Sequence, residues 1–184
     1  MKRALDLVAS ALGLLVLWPL FLVVAALVKA EDGGPVMFRQ QRVGRNLKTF
    51  FILKFRTMRV DAAEKGPAIT VAGDDRVTRV GRLLRPAKLD ELPQLWNVLC
   101  GDMSLVGPRP DVPYAIADYA PWMQRRLAVT PGVTGLWQVS GRSRLSLLDM
   151  YRLDVEYAEH ASLALDLSIL FKTIPVVLTR DGAA

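Results

Sequence analysis

The longest apolar run lies at the start of the chain. From Leu7 to Val28 the sequence LVASALGLLVLWPLFLVVAALV contains no charged residue. A helix of these 22 residues would extend about 33 Å, enough to cross a bilayer core. Pro19 stands in the middle, where it removes one backbone hydrogen bond and crowds the preceding turn, so a break or kink is expected there. A cleaved signal peptide fits less well. The run is longer than a usual h-region, no small-residue cleavage site follows it, and Asp6 sits where a basic n-region belongs.

Both flanks of this run are basic: Lys2 and Arg3 before it, Lys29, Arg39, Arg42, Arg45 and Lys48 after it. Basic flanks favour the cytoplasmic side of a membrane. A straight span cannot place both flanks there, whereas a helix bent at Pro19 that enters and leaves by one face can. The pattern predicts a re-entrant helix over residues 1–32, with an ordinary kinked transmembrane anchor as the alternative.

After Gly33-Gly34-Pro35 the period changes. VMFRQQRVGRN reads as a strand, Gly44-Arg45-Asn46 as a turn, and KTFFILKFRTM as a second strand. Residues 61–75 are polar, with Gly and Pro, and read as a mobile loop. VTRVGRLLRPAK predicts a short basic helix. LPQLWNVL predicts another, with Pro93 in its first turn and Gly101 as its stop. Residues 112–129 read as helical and residues 144–160 as an amphipathic helix. SLALDLSILFKTIPVVL is apolar enough to lie at a membrane interface, but Asp166, Lys172 and Pro175 interrupt it. The expected fold is therefore α/β, mostly helical with a small β-hairpin. A re-entrant membrane helix (1–32) precedes a compact cytoplasmic unit (33–184) with interfacial amphipathic helices.

Charge changes this picture. The 184 residues carry a net charge of +6, and the mean hydropathy is +0.25. Nucleic-acid binders are basic but rarely so apolar, so no nucleic-acid partner is expected; a protein on an anionic membrane can be both. Residues 39–88 hold thirteen basic and four acidic residues, net +9, while residues 89–184 are net −3. Such a basic segment favours anions, either lipid headgroups or phosphorylated substrates. One cysteine, Cys100, leaves no internal disulfide and no Cys-rich zinc site. His160 is the only histidine, which argues against histidine-based catalysis. No P-loop, dinucleotide fingerprint or HExxH motif is present.

Lys88-Leu89-Asp90-Glu91-Leu92-Pro93 places two adjacent carboxylates at the start of a predicted helix, whose N-terminus favours their ionised forms. An ionised Asp can attack a phosphoryl centre, and its neighbour can bind Mg²⁺. Flanking Arg85 and Lys88 could neutralise phosphate charge. By itself the dipeptide equally reads as a helix cap beside a solvated Glu. In Gly107-Pro108-Arg109-Pro110, two prolines pre-position one guanidinium suited to phosphate, or the segment is an ordinary turn. Lys54 and Arg56 alternate with Phe55, so both fall on one strand face. The glycine-rich TPGVTGLWQVSGR (130–142) permits close backbone approach to a ligand and offers Gln138, Ser140 and Arg142, or is a purely structural loop.

Taken in order, the proline-centred apolar segment, KFRTM (54–58), RVGRLLR (79–85), LDELPQLWNVLCGDMSLVGPRP (89–110) and TPGVTGLWQVSGR (130–142) closely resemble the bacterial sugar transferase family. Its members are small monotopic phosphoglycosyl transferases that begin lipid-linked glycan assembly. The resemblance covers nearly the whole chain. It implies transfer of a sugar-1-phosphate from a UDP-sugar to undecaprenyl phosphate, with release of UMP, on the cytoplasmic face of the bacterial inner membrane. It implies a Mg²⁺ requirement, with Asp90 as nucleophile in a covalent phospho-sugar intermediate and Glu91 as the metal ligand. Pro108, Arg109 and Pro110 would lie at the nucleotide or phosphate site, and Lys54, Arg56 and Arg85 would be phosphate contacts. Gln138 and Arg142 are further candidates for substrate binding.

The family's re-entrant helix breaks at a Ser-Pro pair, where this chain has Trp18-Pro19. GLWQVSGR is similar to members that transfer hexose phosphate in exopolysaccharide or O-antigen initiation. A homodimer at the membrane is compatible with this reading. Two rival readings are a glycosyl transferase that releases UDP, and a basic membrane protein that binds anionic lipid or organises an assembly.

Overall fold

The computed structural model describes residues 1–62 and 73–179. Most of the loop expected over 61–75 therefore lies outside the described residues. Helix α1 (Lys2–Asp32) opens the chain. The hairpin β1 (Met37–Val43) and β2 (Thr49–Phe55) follows, antiparallel, with Met37 opposite Phe55 and Val43 opposite Thr49. Next come α2 (Arg79–Leu84), a 3-10 turn (Leu89–Glu91) and α3 (Gln94–Cys100). Strand β3 (Ser104–Val106) pairs in parallel with β4 (Gly132–Thr134). Between them lie α4 (Pro113–Ile116) and a 3-10 segment (Met123–Ala128). The chain continues through α5 (Leu136–Ser140), α6 (Leu147–His160) and α7 (Leu163–Leu178).

The hairpin, α2, α3, α6 and α7 stand where the sequence pattern puts them. The continuous helix expected over 112–129 does not form. Only one α-turn and one 3-10 segment exist, separated by Ala120-Pro121. The proline disfavours helical backbone at the residue before it, and the chain is not helical at Tyr119 and Ala120. Helix α1, by contrast, continues through Pro19. A proline costs a helix one hydrogen bond and a steric contact, and here the turns on either side keep the chain helical.

Helix α1 is long and apolar enough to cross a membrane and is the one such helix among the described residues. Leu12, Leu15, Val16, Trp18, Leu22 and Val23 are exposed on it. Its other side lies against the body of the protein along its length. Val24 and Val28 are buried with Phe55 and Leu84, and a Cβ added at Gly13 would come within 3.0 Å of Leu95 on α3.

Polar groups fasten both ends of α1. Near the start, Lys2 Nζ donates to Asp166 (2.7 Å), to Tyr157 and to the Val106 carbonyl. Arg3 donates to the Val98 and Leu99 carbonyls in the last turn of α3. Asp6, buried inside this apolar helix, accepts from the Leu105 N–H (2.9 Å) and the Ser104 hydroxyl. At the far end Gly33 closes the helix in the left-handed conformation (φ 71°). Asp32 there holds Arg56, and Glu31 accepts from the amides of Arg79 and Val80 at the start of α2. Thus Asp6, just ahead of the apolar run, is a docking group.

The β3–β4 pair leaves no room for side chains on its glycines. A Cβ at Gly132 would stand 2.0 Å from the Gly107 nitrogen and 2.5 Å from the Thr134 carbonyl oxygen. Backbone atoms held by pairing cannot move aside. Gly132→Ala should therefore cost about 1–3 kcal/mol or more by overpacking, read as a lower thermal unfolding midpoint in detergent. An unchanged midpoint would contradict this close approach.

Candidate active site

Asp90 and Glu91 occupy the 3-10 turn ahead of α3, and both side chains are buried. Lys88, which starts the turn, adopts φ 55°, ψ 22°, a conformation uncommon for a side-chain-bearing residue. The turn runs on through Leu92 and Pro93 in helical backbone into α3. Pro93 is tolerated because an N–H at this point of a helix has no intrahelical partner.

Asn97 on α3 fixes the distance between this turn and the hairpin. Its Oδ1 accepts from the Leu53 N–H (3.0 Å) and its Nδ2 donates to the Phe51 carbonyl (2.8 Å), so it acts as a strand neighbour for β2. The next residue of β2, Lys54, then reaches Glu91: its Nζ donates to Glu91 Oε1 at 2.7 Å. Arg109, from the loop after β3, donates to the same oxygen at 2.7 Å and to Oε2 at 3.3 Å.

The two carboxylates are treated oppositely. Burial opposes ionisation of Glu91, but the Arg109 and Lys54 charges outweigh it and hold the carboxyl well below its usual range. Burial and the Glu91 charge push the Asp90 carboxyl up, against the smaller pull of Lys54, Lys88 and Arg85. Asp90 Oδ1 is buried with no hydrogen-bond partner among the described residues. An unpaired buried acceptor costs about 1–3 kcal/mol, and such a group in a native structure calls for an explanation. Burial also lowers the Lys54, Lys88 and Arg85 side chains from their ordinary values.

Beside the turn lies a cavity of about 450 Å³. Lys88, Glu91, Arg109 and Arg142 give it charge; Leu92, Leu95, Val133, Trp137, Val176 and Val177 give it an apolar wall. Gln138 lines it too, with Nε2 donating to the Val133 carbonyl at 3.1 Å. Arg142, at φ 53°, donates to the Val176 carbonyl on α7. Asp90 is not part of the wall.

Most of the residues singled out in the sequence come together. Glu91, Lys54 and Arg109 are in direct contact, Asp90 adjoins them, and Gln138 and Arg142 share the cavity with Glu91 and Arg109. Pro108 and Pro110 bracket Arg109 in the loop. Arg85 lies nearby, its Nε donating to the Thr57 hydroxyl. Arg56 is elsewhere. Strand β2 ends at Phe55, so the alternation that would put Arg56 beside Lys54 stops. Its guanidinium binds Asp32 through two nitrogens and the Pro35 and Met58 carbonyls, a structural staple on the end of α1. Asn97 and Trp137 carry no signal as site residues in the sequence: Asn97 falls in a predicted helix, and Trp137 is an apolar residue of the glycine-rich segment.

The donor set bears on a metal. No group of three or more His, Cys, Asp or Glu side chains placed to hold an ion occurs among the described residues. Two adjacent carboxylates, one with an unpaired oxygen, fit a cation that draws its other ligands from water and substrate phosphates, as Mg²⁺ does.

The chain matches known proteins along its length. It is 48% identical over 193 residues to a UDP-glucose:undecaprenyl-phosphate glucose-1-phosphate transferase of Caulobacter vibrioides, covering 99% of this chain and 71% of that one. It is 43% identical to the exopolysaccharide production protein ExoY of Rhizobium meliloti, covering 99% and 87%. It is 42% identical to an undecaprenyl-phosphate galactose phosphotransferase of Salmonella typhimurium, covering 100% of this chain and 41% of that one. The chain thus spans about two-fifths of the length of several curated relatives it matches. The family model described as bacterial sugar transferase matches residues 1–180, and the chain belongs to that family.

Proposed function

We propose that the protein transfers a sugar-1-phosphate from a UDP-sugar to undecaprenyl phosphate at the cytoplasmic face of the membrane, releasing UMP. The observation that carries this reading is Glu91 with Lys88 and Arg109 at the charged end of a cavity with an apolar wall, with Lys54 bonded to Glu91 and Asp90 next to it in the turn. Both substrates of such a reaction are phosphates, and phosphoryl transfer asks for positioning and charge neutralisation more than for acid–base groups. The names of the relatives point the same way, toward sugar-phosphate transfer to undecaprenyl phosphate.

In the proposed first step an Asp90 carboxylate oxygen attacks the β-phosphorus. The bond from that phosphorus to the oxygen bridging to the α-phosphorus breaks, and UMP leaves with that oxygen. A phosphate oxygen of undecaprenyl phosphate then attacks the same phosphorus and frees Asp90. Arg109 and Lys54 orient Glu91 and offset diphosphate charge. Glu91 is the residue to hold Mg²⁺, which when bound would neutralise further charge on the diphosphate. Trp137 and Val176 of α7 add apolar wall to the same cavity.

The way α1 is fastened supports a re-entrant topology. Lys2, Arg3 and Asp6 at one end, and Glu31 and Asp32 at the other, hold the same body of protein. A helix crossing the bilayer would carry one of these ends, with its partners, to the opposite side. A re-entrant path keeps both on the cytoplasmic side and turns the exposed Leu15–Val23 side into lipid.

With undecaprenyl phosphate and a panel of UDP-sugars, the wild-type chain should release UMP, and Asp90→Asn should abolish release; UDP as the product, or full activity in the variant, would sink the assignment. Arg56→Ala should lower the thermal midpoint yet leave the KM for the UDP-sugar unchanged, and a raised KM would return Arg56 to the site. In a Cys100→Ser background, a cysteine placed before Met1 should resist a membrane-impermeant thiol reagent added to whole cells, while labelling from outside would exclude the re-entrant path.

A further inference from the structure

The loop that presents Arg109 is held by four consecutive backbone carbonyls. Pro108 O accepts from the Gly132 N–H at 2.9 Å, and Asp111 O accepts from the Val43 N–H at 2.8 Å. Pro110 O accepts from the Arg42 guanidinium at 3.1 Å. The carbonyl of Arg109 itself accepts from Arg126 Nη2 at 2.5 Å. With all four taken, the backbone that carries the Arg109 side chain is pinned at and on both sides of that residue.

Arg126 is only 3% exposed, and its donors are used in every direction. Nε and Nη2 reach Asp154 Oδ2 at 3.1 and 2.5 Å, and Nη1 reaches Asp111 Oδ2 at 3.0 Å and the Tyr119 hydroxyl. Its Cζ lies 4.9 Å from the centre of the Tyr151 ring. Asp154 belongs to α6 and Arg109 to the loop after β3, so one guanidinium ties the helix to the loop. A buried ion pair is a weak source of stability, and an apolar residue of similar volume commonly serves as well. What an apolar residue could not do is hold the Arg109 carbonyl. The planar fork can meet Asp154, Asp111 and that carbonyl together, which a lysine ammonium cannot.

We infer that Arg126, oriented by Asp154, is a positioning residue for diphosphate binding: it fixes the backbone of Arg109 so that the Arg109 guanidinium is presented beside Glu91 at the charged end of the cavity. Misplacement of a substrate-binding group by even about 1 Å carries a large penalty in rate or affinity. This inference rests on the proposed assignment of Arg109 to the substrate diphosphate.

UDP binding to the purified full chain in detergent, measured by calorimetry, tests it without knowledge of the sugar. Arg109→Ala should weaken UDP on the order of tenfold or more, as expected for loss of a charge-assisted contact. Arg126→Lys should weaken it by a similar factor, and the double variant should be no weaker than Arg109→Ala alone. Asp154→Asn, close to isosteric, should show the same direction of change and serves if Arg126→Lys fails to fold. If Arg109→Ala weakens UDP while both other variants bind normally with a native thermal midpoint, the positioning role is refuted and the assignment of Arg109 stands. Losses that add in the double variant would likewise overturn it, as a purely structural role predicts. Unchanged UDP affinity in Arg109→Ala would remove the assignment of Arg109 itself, and this inference with it.

Discussion

Two cations from separate elements converge on one buried carboxylate: Lys54 from the hairpin and Arg109 from the loop after β3 both reach Glu91 Oε1 at 2.7 Å. Taking these charges out of water costs several kcal/mol per ion unless each meets its partners. The surrounding structure therefore has to hold three segments in register. Asn97 sets the hairpin against α3, and Gly107 and Gly132 let β3 and β4 approach so closely that the Arg109 loop has a fixed origin. Moving any of the three would leave a buried charge unpaired.

The same arrangement separates two neighbouring carboxyl groups. Glu91 is kept ionised by its cations, whereas Asp90 is buried with an unpaired oxygen. Neighbours in sequence thus receive different environments, because a 3-10 turn points successive side chains about 120° apart. One serves to gather positive charge, and the other is left without partners next to it. That division suits a site in which one group orients and the other reacts.

Helix α1 shows how polar residues work within an apolar segment. Its exposed face is lipid-like, yet Lys2, Arg3, Asp6, Glu31 and Asp32 all bond to the body of the protein. Arg3 satisfies carbonyls at the end of α3, the helix that follows the Asp90–Glu91 turn, and Gly13 packs against Leu95 of the cavity wall. Seating of α1 and shape of the cavity are therefore mechanically linked through α3.

Much of this was legible in the sequence. Periodicity located the apolar helix, the hairpin, α3, α6 and α7, since each buries one face and its pattern records that face. The motif order marked Asp90, Glu91, Arg109, Lys54, Gln138 and Arg142. Tertiary structure decided the rest. It cut the helix expected over 112–129 at Pro121, carried α1 through Pro19, and moved Arg56 from the site to Asp32. It also made Asp6, a charge ahead of the apolar run, into a dock, and Arg126, one of two adjacent arginines, into the anchor of the Arg109 loop. Local pattern reports which face of an element is apolar; it does not report which distant carboxylate or carbonyl a buried guanidinium will meet, because that partner is set by packing between elements far apart in the chain.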